Sequence, residues 1–177
     1  MNKREKIRQI AGVAVLTALA VILVFLSTPI QFTIGTPINL SLIVVALVAI
    51  IYGPVAGFLV GFICGGFFLF SSSVYFAISI PGTILICTLK EGVAGLIAGY
   101  IFKALSKKNE IIASIIAALV VPIINTTVYI IGSLIFFKGV FGELINAFIA
   151  INFILEFSLT IVLTPTILKV VKIVKKK

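Results

Sequence analysis

Histidine, aspartate and tryptophan are absent from this chain, and the only acids are five glutamates. Metal-dependent hydrolysis and phosphotransfer need clustered ligands or acid/base pairs, so most such chemistry lacks its residues here. Lipid phosphotransfer in particular would need an Asp-rich metal motif. The two cysteines, Cys64 and Cys87, stand in separate apolar runs without metal-ligand spacing and read as small packing residues. No phosphate-binding glycine loop of the G-x-x-x-x-G-K type occurs, so ATP chemistry would have to come from another chain. No metal site and no bound cofactor is expected.

What is abundant is apolar surface. Of 177 residues, 62% are hydrophobic and 11% charged. A soluble domain of this size cannot cover that much apolar area, which indicates an all-α integral membrane protein. The punctuation divides the chain into six hydrophobic segments, at about 9–27, 39–52, 55–70, 81–102, 111–137 and 143–171. They are expected to form one six-helix transmembrane bundle, a single domain over 1–177. Segments two and three are short for a full crossing, which predicts tilt or partial penetration. Pro81 suits the first turn of segment four, and Pro122 is expected to kink segment five. The first segment has a basic start like a signal peptide but lacks a small-residue cleavage site, so it reads as a retained helix.

A net charge of +9 would suggest nucleic acid in a soluble protein. Position argues otherwise. The basic residues gather at Lys3, Arg4, Lys6 and Arg8, at Lys103, Lys107 and Lys108, and at Lys169, Lys172, Lys175, Lys176 and Lys177. With six spans these clusters all fall on one side, whereas the opposite connections carry only Lys138. The positive-inside rule then makes both termini cytoplasmic, and the basic clusters meet lipid headgroups rather than nucleic acid.

Small residues repeat at four-residue spacing: Gly53, Gly57, Gly61 and Gly65 on segment three, Gly95 and Gly99 on segment four, Ala14 and Ala18 on segment one. Such stripes let helix backbones approach closely in lipid. The glycine stripes read as packing within the chain. The Ala14/Ala18 face is equally suited to packing or to a partner's helix.

Segment four carries Lys90 and Glu91 inside its apolar run. A charge at bilayer depth costs about 2.5–3.5 kcal/mol or more and marks function by default. Asn125, Tyr129 and Ser133 form a polar stripe on segment five, and Asn152, Glu156, Thr160 and Thr164 another on segment six. At about 1.5 Å per residue from the outer ends, Lys90 and Asn152 lie about 13 Å deep, Tyr129 about 12 Å and Glu91 about 15 Å. Asn125 and Glu156 come out at about 18 and 20 Å. Polar groups from three helices thus converge in the outer half of the membrane, as in a small-molecule site with apolar walls. Lys90 suits a substrate carboxylate or phosphate. The structural alternative pairs it with Glu156 or Glu91 to set helix register. Gln31, Phe32 and Asn39 in the first outer loop, with Tyr75 and the phenylalanines around the second, are candidate lid residues. Aromatics there also serve as interface anchors.

Taken together, several motifs resemble the substrate-specific S components of energy-coupling factor (ECF) vitamin transporters. They are Ala14-x-x-x-Ala18 after a basic tail, Asn39 leading segment two, Tyr52-Gly-Pro-x-x-Gly57, and Leu89-Lys90 before a glycine-rich run. Pro122-x-x-Asn125-Thr126 and Asn152-Phe153-x-x-Glu156 before Thr164-Pro165 complete the set. The resemblance implies a subunit that captures a vitamin or precursor from outside, between its last three helices. It also implies a membrane-embedded coupling subunit, met through Ala14 and Ala18, and two cytoplasmic ATPases, in a bacterial plasma membrane. The missing tryptophan argues against thiamin, leaving riboflavin-, pantothenate- or folate-like substrates. A self-sufficient carrier or channel needing no ATPase is the competing class.

Overall fold

The computed structural model describes residues 3–33, 36–71, 76–138 and 152–175; side chains are described except at 31–33, 36–37, 71 and 170–175. Among these residues run six α-helices: α1 (Lys3–Ser27), α2 (Ser41–Tyr52), α3 (Pro54–Phe68), α4 (Ile80–Leu105), α5 (Glu110–Phe136) and α6 (Phe153–Lys175). A small antiparallel pair, β1 (Gln31–Thr33) with β2 (Thr36–Pro37), interrupts the connection from α1 to α2. The helices match the six apolar segments in order. The residues before α6, where segment six was expected to begin at 143, lie outside the described residues.

Three helices, α1, α4 and α5, are long and apolar enough to cross a membrane. Their outer faces are consistent with lipid: Val15, Ile22, Phe25, Leu85, Ile131 and Ile135 are all exposed. Contiguous exposed apolar surface on this scale is not found on soluble monomers.

Local chemistry explains the helix ends. Gly53, at φ +97°, turns the chain from α2 into α3, and Pro54 occupies the first helical position, where its missing N–H costs nothing. Ser79 Oγ accepts the N–H of Gly82 at 3.3 Å to open α4, with Pro81 in that first turn. Asn109 Oδ1 accepts the N–H groups of Ile111 and Ile112 to open α5. Helix α5 runs on through Pro122 without ending there.

Helix α2 is the axis of the bundle. Every residue from Ser41 to Ile50 is buried, and α2 touches each of the other five helices. An α-helix that is apolar all round belongs in a core, and its 12 residues span only about 18 Å against a hydrocarbon layer of about 30 Å. Its shortness therefore reflects a helix enclosed by longer ones.

Helices α3 and α4 are joined along a glycine seam. A Cβ at Gly57 would stand 2.8 Å from the carbonyl oxygen of Gly95. One at Gly61 would strike the Glu91 carbonyl, and one at Gly65 the Cys87 carbonyl. One at Gly99 would stand 2.5 Å from Pro54 Cα. As the α3 number rises, the α4 number falls in step, so the two helices run antiparallel with their backbones in contact. Both glycine stripes are thus spent on packing within the chain, and the seam fixes the α4 backbone at Glu91.

Candidate functional site

Two buried polar systems meet α4. The first gathers around the start of α2. The Asn39 Nδ2 amide donates to Glu91 Oε1 at 2.7 Å, and Ser41 Oγ donates to Glu91 Oε2 at 2.9 Å. The backbone N–H of Asn39 donates to Glu156 Oε1 at 2.9 Å. The N–H of Ser41 donates to Asn39 Oδ1 at 3.2 Å, and the N–H of Leu40 to Ser27 Oγ at 3.3 Å. Helix N-termini leave N–H groups without intrahelical partners and carry a partial positive charge. Here Ser27 of α1 and Glu156 of α6 each take up one of those N–H groups, and Glu91 of α4 takes the side chains of Asn39 and Ser41, so four helices are tied at one point. Glu91 lies about 18 Å from Lys103 along α4, and Glu156 about 20 Å from Lys169 along α6. Both carboxylates therefore sit at the same height above the basic ends.

Lys90, buried beside this cluster, places its ammonium 4.2 Å from the centroid of the Phe68 ring. A cation over an aromatic face is attracted by the ring quadrupole. Its charge is also felt by both Glu91 and Glu156. Among the described residues it makes no hydrogen bond to either. Phe68, expected among the outer aromatics, is buried under this cation.

The second system is the facing polar stripes. Asn125, Tyr129 and Ser133 on α5, and Asn152, Glu156, Thr160 and Thr164 on α6, are all buried. Helices α5 and α6 are in contact, and Ala117, Val121 and Ile124 share an apolar cluster with Leu159 and Leu168. Glu110 and Ser114 near the start of α5 line one cavity with Pro165 and Lys169 of α6, so the two helices run antiparallel. Thr160 Oγ1 donates to the Glu156 carbonyl at 2.7 Å. In contrast, among the described residues no hydrogen-bond partner reaches either amide atom of Asn125, the hydroxyls of Thr126, Ser133 and Thr164, or Glu156 Oε2, all of them buried. Buried polar groups are nearly always paired, so a concentration of leftover donors and acceptors between two helices calls for a reason.

The positions singled out in the sequence are thus distributed unevenly. Lys90, Glu91, Asn125, Tyr129, Asn152 and Glu156 are all buried on α4, α5 and α6, and Glu156 belongs to both polar systems. Asn39, expected with the outer loop, is buried at the head of α2. Gln31 and Phe32 lie on β1, where side chains are not described, and Tyr75 lies outside the described residues. Ala14 and Ala18 are exposed on α1. Two contributors went unnoticed in the sequence. Ser41 had a signal, since Asn-x-Ser before an apolar run is a helix-opening pattern. Ser27 had none beyond closing α1. Four cavities lined by described residues lie elsewhere. Two of them, of about 530 and 390 Å³, flank Tyr52 near the basic end of α1.

A helical membrane protein that keeps a lysine, two glutamates and three asparagines in its interior is built around those groups rather than merely tolerating them. The family model of the ECF transporter, substrate-specific component, matches residues 8–172. The chain belongs to that family, whose members are transport subunits and not enzymes. No curated protein and no solved structure matches it.

Proposed function

We propose that this chain is the high-affinity capture subunit of an ECF-type ATP-driven importer for a vitamin or vitamin precursor. In this reading the six helices form one transmembrane bundle in a bacterial plasma membrane and both termini are cytoplasmic. The ligand enters from outside and is held between α4, α5 and α6 by Lys90, Glu91, Asn125, Tyr129, Asn152 and Glu156, with Gln31, Phe32, Asn39 and Tyr75 above it. The observation that supports the reading is the burial of Lys90, Glu91, Asn125, Tyr129, Asn152 and Glu156, with polar atoms of α5 and α6 that no described residue pairs. A site that binds a small molecule through a few placed polar groups needs such atoms to spare.

Docking to a membrane-embedded coupling subunit is assigned to α1. Ala14 and Ala18 are exposed, on a helix with only Ala20, Val24 and Ser27 buried, so a smooth surface faces outward for a partner's helix. Two cytoplasmic ATPases supply the hydrolysis.

The test is co-expression with an ECF coupling subunit and its ATPases, followed by pull-down and uptake in proteoliposomes. The wild-type chain should copurify with them and drive ATP-dependent vitamin uptake. Ala14→Trp should abolish copurification and uptake while leaving vitamin binding within twofold. Uptake by the chain alone, indifferent to ATP, would replace this reading with that of a self-sufficient carrier.

A further inference from the structure

The two cavities that share Tyr52 differ in chemistry. At the basic end of α1, a polar cavity of about 530 Å³ is lined by Glu5, Arg8 and Gln9 of α1 and by Tyr52, the last residue of α2. The other, of about 390 Å³, is apolar. Ala11, Val15 and Leu16 of α1, Leu47 and Ile51 of α2, and Ile167 of α6 form its walls. Gly12 makes the junction between them. The phenol of Tyr52 takes the space that a side chain at Gly12 would fill, so the tyrosine rests on the α1 backbone where the cavities meet.

Along α1 the polar lining comes first and the apolar lining follows, with a rise of about 10 Å from Arg8 to Val15. Glu5, Arg8, Gln9 and Gly12 recur at helical spacing and share a face, and Arg4 stands one turn before Arg8 on the same side. The start of the helix carries Lys3, Arg4, Lys6 and Arg8 against one acid, Glu5. In a membrane such a basic end lies in the headgroup layer, and a tyrosine at that level keeps its ring in hydrocarbon and its hydroxyl among polar groups. A glycerophospholipid has the same parts in the same order, charged headgroup outermost and acyl chain inward. An apolar groove alone would not choose its occupant; the charge at its mouth does.

The headgroup can be narrowed further. The guanidinium of Arg8 is a planar fork of N–H donors suited to a phosphate. Glu5 beside it disfavours a bare phosphate ion, whereas a carboxylate and the Gln9 amide both accept from hydroxyl groups. A phosphate joined to hydroxyls satisfies all three side chains. We propose that the two cavities form one site for an anionic glycerophospholipid with a hydroxylated headgroup, phosphatidylglycerol being the simplest. One acyl chain lies in the groove between α1, α2 and α6, the phosphate meets Arg8, and the headgroup hydroxyls face Glu5 and Gln9. Such a site requires only that the chain lies in a membrane, and it stands or falls separately from vitamin capture.

The experiment uses the purified full-length chain, delipidated in detergent, and native mass spectrometry. The probes are phosphatidylglycerol, phosphatidylethanolamine and phosphatidylcholine with matched acyl chains, and glycerol phosphate as the chain-free control. Phosphatidylglycerol should bind one-to-one and at least tenfold tighter than either zwitterionic lipid, about 1.4 kcal/mol. Glycerol phosphate should not displace it. Arg8→Gln, and Ala11→Trp, which fills the groove, should each weaken it at least tenfold, while Lys107→Gln in the α4–α5 connection should change it less than twofold. All three positions are exposed, so folding is not at stake. Equal binding of the zwitterionic lipids, or an equal loss in Lys107→Gln, would reduce the effect to general charge attraction and overturn the site. Displacement by glycerol phosphate would overturn the role of the groove. If Ala11→Trp leaves lipid binding unchanged and instead prevents copurification with a coupling subunit, the groove belongs to a partner's helix and the lipid is overturned.

Discussion

The α3–α4 seam and the α5–α6 interface are built on opposite principles. Along the seam, glycines bring backbone against backbone from Gly57 to Gly65, and among the described residues no side-chain nitrogen or oxygen of α3 or α4 is buried without a partner. Between α5 and α6, asparagine, threonine, serine and glutamate are buried with atoms to spare. In lipid, where the hydrophobic effect does not hold helices together, close packing supplies the adhesion and unpaired polar groups detract from it. One side of the bundle is thus a rigid wall. The other buries polar atoms that no described residue pairs, and α4, in contact with both α3 and α5, carries Lys90 and Glu91.

The sharpest way to break the contrast is to put a side chain into the seam. Gly61→Leu drives a branched chain into the Glu91 backbone, which cannot move aside as a flexible side chain would. Overpacking typically costs 1–3 kcal/mol, and against backbone the cost should reach or pass about 3 kcal/mol, seen as loss of the monodisperse peak in detergent chromatography. Next comes Glu91→Ala, which leaves Asn39 Nδ2 and Ser41 Oγ without their carboxylate. Hydrogen bonds to a charged group contribute about 1.5–3 kcal/mol, so thermal unfolding should show a loss in that range. Gly61→Ala should cost less than Gly61→Leu, about 1–3 kcal/mol on the same assay. At the small end, Thr164→Val on the α5–α6 side removes an unpaired hydroxyl while keeping the shape. Its melting temperature should be unchanged or raised by a degree or two. A clear drop would mean that the α5–α6 interface is as fully satisfied as the seam.

Much of this was legible beforehand for simple reasons. Gly53-Pro54, Pro81 and Asn109 punctuate the apolar runs, so helix order followed from composition and turn chemistry. The four-residue periodicity of the glycines gave the seam its face, and the polar stripes of α5 and α6 gave the other. Long-range partners were not legible. Asn39 joins residues 52 and 117 positions away, and no local pattern tells an asparagine in a loop from one that closes a helix against two distant glutamates. The sparing of α2 from lipid was equally hidden, because a short apolar run reads the same whether it tilts at the edge or stands at the centre. Glu91 and Glu156 looked equivalent as acids at depth; only their hydrogen-bond partners separate a spent carboxylate from one with an oxygen in hand.

The backbone bond from Asn39 to Glu156 also has a mechanical side. It fastens the point where the chain re-enters the bundle, after the β1–β2 hairpin, to the first turn of α6. Any shift of that carboxylate is consequently a pull on the end of α2, the rod that touches every other helix. The far end of that rod is Tyr52, whose hydroxyl nests against Gly12 on the same helix that bears Ala14 and Ala18.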